Sequence, residues 1–204
     1  MTPELLLQIK EKLNFSKTLD CVFWAACMVM FHGLLRKSNL FGTDSGGFHP
    51  NRQLTRYCFH VSADQRSLIV HAKWSKTNQT RERVLNICLP LLVDHPLCPV
   101  TAVLTNFRAL GPAAPGAQAF PMTGPAFNRT LKALTSRVGV SGVSSHSLHR
   151  GGTTWALSSG IPGELVTAMG DWESVCYLVY LDQIPQTVID QYREEFAHSL
   201  PHHT

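Results

Sequence analysis

Hydrophobic positions along the chain fall into helical periods over most of its length, interrupted once by a stretch of alternation. Leu5, Leu6, Ile9 and Leu13 recur at helical spacing behind Thr2-Pro3-Glu4. That tripeptide is a helix start: a capping hydroxyl, a proline in the first turn and an acid near the positive end of the helix dipole. A second helix is predicted from about Leu19 to Leu35, with Val22, Phe23, Ala26, Val29, Met30 and Leu34 buried. It is apolar nearly all round, as a core helix must be. Gly42 to Pro50 reads as a loop, being rich in glycine and turn formers. Then the period changes. Leu68, Val70 and Ala72 alternate with Ile69, His71 and Lys73, the two-residue repeat of a half-buried strand. Three strands are predicted, Gln53 to Val61, Ser67 to Trp74 and Arg83 to Leu89, with the polar turn Ser75 to Thr80 between the last two.

Helical spacing then resumes. Pro99 to Leu110 carries Val100, Val103, Leu104 and Phe107 on one face, and Ala126 to Val138 carries Phe127, Leu131, Leu134 and Val138 inward. The loop between them, Gly111 to Gly116, is too short to separate independent domains, so one domain is expected over residues 1–204. A helix over the H-S-L-H-R stretch should end near Gly160, and another runs from Pro162 to Met169. After the Gly170-Asp171 turn, Ser174 can cap a short helix with Cys176, Tyr177, Val179 and Tyr180. A last helix from Pro185 carries Val188, Ile189, Tyr192 and Phe196, with a tail to residue 204. The fold class predicted is mainly α with a small antiparallel β-sheet, an α+β protein.

Composition adds limits rather than a function. Hydrophobic content of 44% and charged content of 16% describe a globular chain and exclude a disordered tail. A net charge of +4 permits nucleic-acid binding without requiring it. No apolar run reaches the roughly 18 residues that span a bilayer, so no membrane association is expected. Six scattered cysteines without a C-x-x-C pair suit reduced thiols. The ten histidines have no finger-like spacing to a cysteine, so no metal is expected, and a metal-dependent hydrolase lacks paired carboxylates.

The chemistry concentrates between Ser144 and Trp155, which read S-S-H-S-L-H-R-G-G-T-T-W. His146, His149 and Arg150 lie within five positions, followed by Gly151-Gly152. Glycines opening a helix would let another backbone approach and leave amide donors free for an anion. Upstream stand Leu35-Arg36-Lys37-Ser38-Asn39-Leu40 and Trp74-Ser75-Lys76-Thr77; downstream come Gly170-Asp171-Trp172, Tyr177 and Tyr180. The outer face of the Ala126–Val138 helix carries Arg129, Lys132 and Arg137, a phosphate-contacting stripe or a solvated face.

In this order the motifs resemble the catalytic domain of tyrosine recombinases, the phage-integrase-like enzymes that break and rejoin DNA. The phrasing H-S-L-x-R-G-G-T-T-W-A, G-D-W-x-S and Y-L-V-Y-L is most similar to recombinases of eukaryotic mobile elements: DIRS-like, Ngaro-like and Crypton. The resemblance covers about Leu5 to Leu181. It implies the recombinase catalytic-domain fold, with the family's N-terminal core-binding domain absent. It further implies double-stranded DNA as partner, no cofactor, a nuclear location (cytoplasmic if the source is prokaryotic), and a terminal helix that docks on a neighbouring protomer or on its own domain.

Residue by residue, the resemblance makes Arg36 a phosphate clamp and Lys76 the acid toward the leaving 5′-oxygen, with Lys73 as competitor. It places His146 and Trp172 beside the phosphate and makes Tyr180 the nucleophile, Tyr177 filling the core. Lys37, Arg129, Lys132, Arg137 and Arg150 would contact DNA. The family's second clamping arginine belongs three residues after the histidine, where this chain has His149. Arg150 is one residue further, about 100° round a helix, and cannot fill the place. Asn39 stands where many members carry an acid. The function implied is strand cleavage and rejoining through a 3′-phosphotyrosine, impaired by His149; the alternative is an inactive DNA-binding or assembly module derived from such an enzyme.

Overall fold

The computed structural model describes residues 1–42, 47–73, 85–114, 116–170 and 186–199. Among them the protein is α+β, with helices around one three-stranded antiparallel sheet. Helix α1 (Pro3–Lys10) starts where its cap predicts, with the Thr2 hydroxyl accepting the Leu5 N–H. Helix α2 (Thr18–His32) is buried from Cys21 to its end and is the axis of the core. It packs against both α4 (Pro99–Leu110) and α6 (Ser145–Ser158). A run of rings, Phe23 on Phe127 and Phe127 on Phe41 at 5.0 Å each, ties α2 to α5 (Gly124–Arg137) and to the residue that follows α3 (Lys37–Leu40).

The sheet has the order β1 (Phe59–Val61), β2 (Ser67–Ala72), β3 (Leu85–Pro90). Phe59 faces Val70, and Val70 faces Ile87. Leu68, Val70 and Ala72 are buried as their alternation predicts, while Ile69 and His71 lie on the other face. The first strand is shorter than predicted. The chain from Leu54 to Arg56 pairs elsewhere: Leu54 N–H donates to Asn39 C=O, and Ala119 and Arg56 N–H groups bond across to Leu54 and Ala117. A 3-10 turn, Arg56–Cys58, then resets the chain into β1.

Two helix boundaries also differ from the hydrophobic pattern. Helix α2 stops at His32 rather than Leu35, because Leu34 adopts a left-handed φ of 52°. Gly151 and Gly152 do not open a helix. Helix α6 starts at Ser145, so both glycines sit inside it, with their amides in its ladder. Their role is close packing. A Cβ on Gly152 would lie 2.0 Å from the Phe31 carbonyl oxygen, and one on Gly151 would lie 2.2 Å from that of Met1.

Helix α7 (Gly163–Gly170) follows α6, and α8 (Gln186–Ser199) closes on its own chain. Tyr192 and Phe196 are buried, and the Tyr192 hydroxyl donates to the His32 carbonyl at 2.6 Å. Arg193 is buried beside them, pairing with Asp64 at 2.7 Å and Asp190 at 2.9 Å and donating to the Ser67 hydroxyl. Ser62, the Arg66 amide and Arg193 hold the Asp64 carboxyl well below the usual carboxylate range. Helix α8 thus packs on its own chain. Among the described residues no helix is long and apolar enough to cross a membrane.

Candidate functional site

The left-handed turn at Leu34 builds the site. It swings the chain out of α2 so that Leu34 presents its carbonyl to α6 and Arg36 becomes the cap residue of α3. Asn39 clasps this turn: its side-chain oxygen accepts the Arg36 N–H at 3.0 Å, and its own N–H donates to the Arg36 carbonyl at 2.9 Å. An amide oxygen therefore supplies the acceptor that an acid would supply at the same position. The Arg36 side chain is half-buried.

Helix α6 brings the second half. Ser144 and Ser147 cap its start reciprocally, the Ser147 hydroxyl accepting the Ser144 N–H at 3.1 Å. The Asn128 side chain, on α5, accepts the Ser145 N–H at 3.0 Å and ties the two helices. One turn on, His149 is buried at 4% exposure, its Nδ1 2.7 Å from the Leu34 carbonyl oxygen. A carbonyl can only accept, so Nδ1 carries the proton. The Thr153 hydroxyl bonds back to the His149 carbonyl at 2.9 Å. His146 is exposed on the same side of the helix, its ring centre 5.9 Å from that of His149.

The electrostatics follow from this placement. Burial is the main cause that lowers the His149 pKa; the Leu34 carbonyl opposes it, and the charges of Arg36 and His146 add to it. His149 is thus neutral at pH 7. The charges of His146, on the same helix, and of Arg36, far back in the chain, both act on His149. Arg150 points elsewhere and is exposed while its neighbour is buried, as the 100° offset requires.

The basic residues expected to meet DNA are all exposed: Lys37, Arg129, Lys132, Arg137 and Arg150. Lys37 lies over the first turn of α5, its Cδ 3.2 Å from where a Cβ on Gly124 would be. Lys73 is exposed after β2. Lys76, Trp172, Tyr177 and Tyr180 lie outside the described residues. The hydrophobic pattern flagged Leu34 as buried but not as a left-handed turn, and it did not flag Asn128 or Thr153. Polar side chains and a left-handed leucine carry no periodic signal; only the Gly151-Gly152 pair hinted that another backbone comes close.

Chemically, the cluster offers one permanent cation beside one solvent-facing imidazole and one neutral, buried imidazole. That set can hold a phosphodiester anion through a single bidentate guanidinium. No protein-family model, no curated protein and no solved structure matches the chain.

Proposed function

We propose that the chain is a DNA strand-cleaving and rejoining domain of the tyrosine-recombinase kind, serving integration of a mobile element, with its chemical step slowed by His149. The supporting observation is the contact of His149 with the Leu34 carbonyl, which brings the turn that carries Arg36 to the helix of His146 and lets both charges act on His149. Attack by the Tyr180 oxygen on a DNA phosphorus, its proton passing to His146, gives a 3′-phosphotyrosine and expels the 5′-oxygen, which takes a proton from Lys76. A 5′-hydroxyl of the partner strand reverses the step, so no cofactor is consumed. Arg36 clamps a nonbridging oxygen, and His146 and Trp172 flank the phosphate. Double-stranded DNA is the substrate, nuclear in a eukaryotic host. Assembly of several copies on DNA would need a face other than the buried side of α8, or release of that helix.

Where the family places a second guanidinium, this chain has a neutral imidazole. Loss of one such donor costs about 3–4 kcal/mol of transition-state stabilisation, or roughly 10²–10³ in rate. The burial and neutrality of His149 favour a second reading, a DNA-binding module without strand cleavage.

A nicked suicide duplex separates the two. Covalent protein–DNA adduct is measured on a denaturing gel for the natural chain and for His149→Arg. An arginine there carries N–H donors and supplies the missing cation. Adduct in His149→Arg, forming slowly or not at all in the natural chain, supports the enzymatic reading. Salt-sensitive DNA binding without adduct in either protein supports the second.

A further inference from the structure

The solvent-facing side of the sheet carries a pair of histidines that the strand-transfer chemistry does not use. His60 on β1 pairs with Ile69, and His71 on β2 pairs with Asn86 of β3, so the two histidines are diagonal neighbours on one face. Their ring centres are 4.7 Å apart and the ring planes are inclined at 56°, which is not a parallel stack. The His71 Nδ1 lies 2.6 Å from the Asn86 side-chain oxygen. An amide oxygen can only accept, so Nδ1 holds the proton and Nε2 presents a lone pair. His60 is exposed and His71 half-buried, leaving room for water or another ligand.

We propose that His60 and His71 form a two-imidazole site for a borderline transition-metal dication such as Zn²⁺, Ni²⁺ or Cu²⁺. The spacing admits it, and the Asn86 bond orients His71 for it. Imidazole nitrogens bind such ions at about 2.0–2.1 Å, which puts each ring centre about 3.2 Å from the metal. For bond angles between about 90° and 110°, the two centres then lie about 4.5–5.2 Å apart. The observed 4.7 Å falls inside this range, whereas the 5.9 Å of His146 and His149 falls outside it. The Asn86 bond supplies what metal-binding histidines ordinarily have, a carbonyl on the far nitrogen that fixes tautomer and ring orientation. Imidazole donors select Zn²⁺, Ni²⁺ and Cu²⁺ over Mg²⁺ and Ca²⁺. Among the described residues no group of three or more His, Cys, Asp or Glu side chains could hold a metal, and two imidazoles leave coordination positions open to water or to a further ligand. One ion would join β1 to β2. The site stands independently of the proposed strand-transfer function.

The test is calorimetric titration of the full chain with ZnCl₂ and NiCl₂, with the number of coupled nitrogens read from the electron paramagnetic resonance of the Cu²⁺ form. A His202→Asn/His203→Asn variant serves as background, so that imidazoles of the tail do not compete. One ion per chain, two coupled nitrogens, and at least a tenfold loss of affinity in both His60→Asn and His71→Asn are expected. Asn86→Ala should weaken binding by about 10–100-fold without removing a nitrogen. Because His60 is exposed on an edge strand, His60→Asn will fold and decides the matter even if His71→Asn does not. Undiminished affinity in His60→Asn, or binding that disappears with the tail histidines, overturns the site.

Discussion

Among the described residues two histidines are buried at the same end of α2, and they are held in opposite ways. His149 reaches that end from α6 and bonds the Leu34 carbonyl. His32 belongs to α2 itself, is fully buried between Phe31 and Phe196, and has no hydrogen-bond partner at either ring nitrogen. The Leu97 backbone lies near enough to oppose its shift without meeting hydrogen-bond geometry, and burial still pushes its pKa down to about 3. Both rings are neutral at pH 7, so neutrality alone does not mark a functional histidine. What distinguishes His149 is its company: the charges of Arg36 and His146 act on it, whereas His32 lies against the rings of Phe31 and Phe196. The first histidine is part of a polar site. The second is part of the dock for α8, whose Tyr192 bonds the His32 carbonyl.

The sharpest way to separate them is pH. His32 has a folded-state pKa depressed from 6.5 to about 3. Its unfolded form binds a proton that the folded form refuses, so its contribution to stability is complete above about pH 6.5 and is lost as pH falls toward 3. The loss is about 1.4 kcal/mol per pH unit, up to about 5 kcal/mol across the window. His95, whose charge also acts on this ring, reinforces the effect when protonated. Denaturant unfolding at pH 7 and pH 5 should show about 2 kcal/mol more loss in the natural chain than in His32→Leu. Parallel pH profiles for the two proteins would remove His32 from the account.

Charge at the other histidine should change chemistry instead. His149→Arg is expected to raise adduct formation by roughly 10²–10³. In that background Tyr180→Phe should abolish the adduct and Tyr177→Phe should retain it. The reverse result would move the nucleophile to Tyr177 and displace Trp172 from the phosphate.

A third variant acts on the contact that places His149 against α2. Gly152→Ala forces a methyl group onto the Phe31 carbonyl and should cost about 1–3 kcal/mol, with α6 pushed off the Leu34 turn. Gly151→Ala meets only Met1, ahead of α1, which can shift, so its midpoint in urea should move less. Equal destabilisation by the two would place the critical contact elsewhere.

The smallest effect concerns the exposed cations. Replacing Lys37, Arg129 or Lys132 by glutamine should lower the slope of log affinity for duplex DNA against log salt by about 0.9 for each phosphate no longer neutralised. An unchanged slope in all three would put the DNA on another face.

Much of the fold was legible in the chain before any tertiary contact. Thr2 caps α1, an unbroken apolar run makes α2 the core, and the alternation from Leu68 to Ala72 orients β2; each depends on neighbours in sequence. The glycine pair shows how local reasoning misleads. Gly151-Gly152 reads as a helix start with free amides, yet it lies inside α6 because Phe31 and Met1 press against it. The early end of α2, the pairing of Leu54 with Asn39 and Ala119, and the docking of α8 were likewise invisible to periodicity.

Of the candidate site, the sequence alone determined the residue types and the one-residue offset between His149 and Arg150, since helix geometry is a local property. Only the tertiary structure decided the state of His149. Its neutrality comes from burial against Leu34, 115 residues away, and from the nearby charges of Arg36 and His146. Its pKa is set by the dielectric and the carbonyl around it, and no pattern along one strand of chain encodes either. The same holds for His60 and His71, which carry no signal in sequence and become neighbours through the register of β1 on β2. Register and burial belong to the folded whole, because each is settled by segments that meet only when the chain closes on itself.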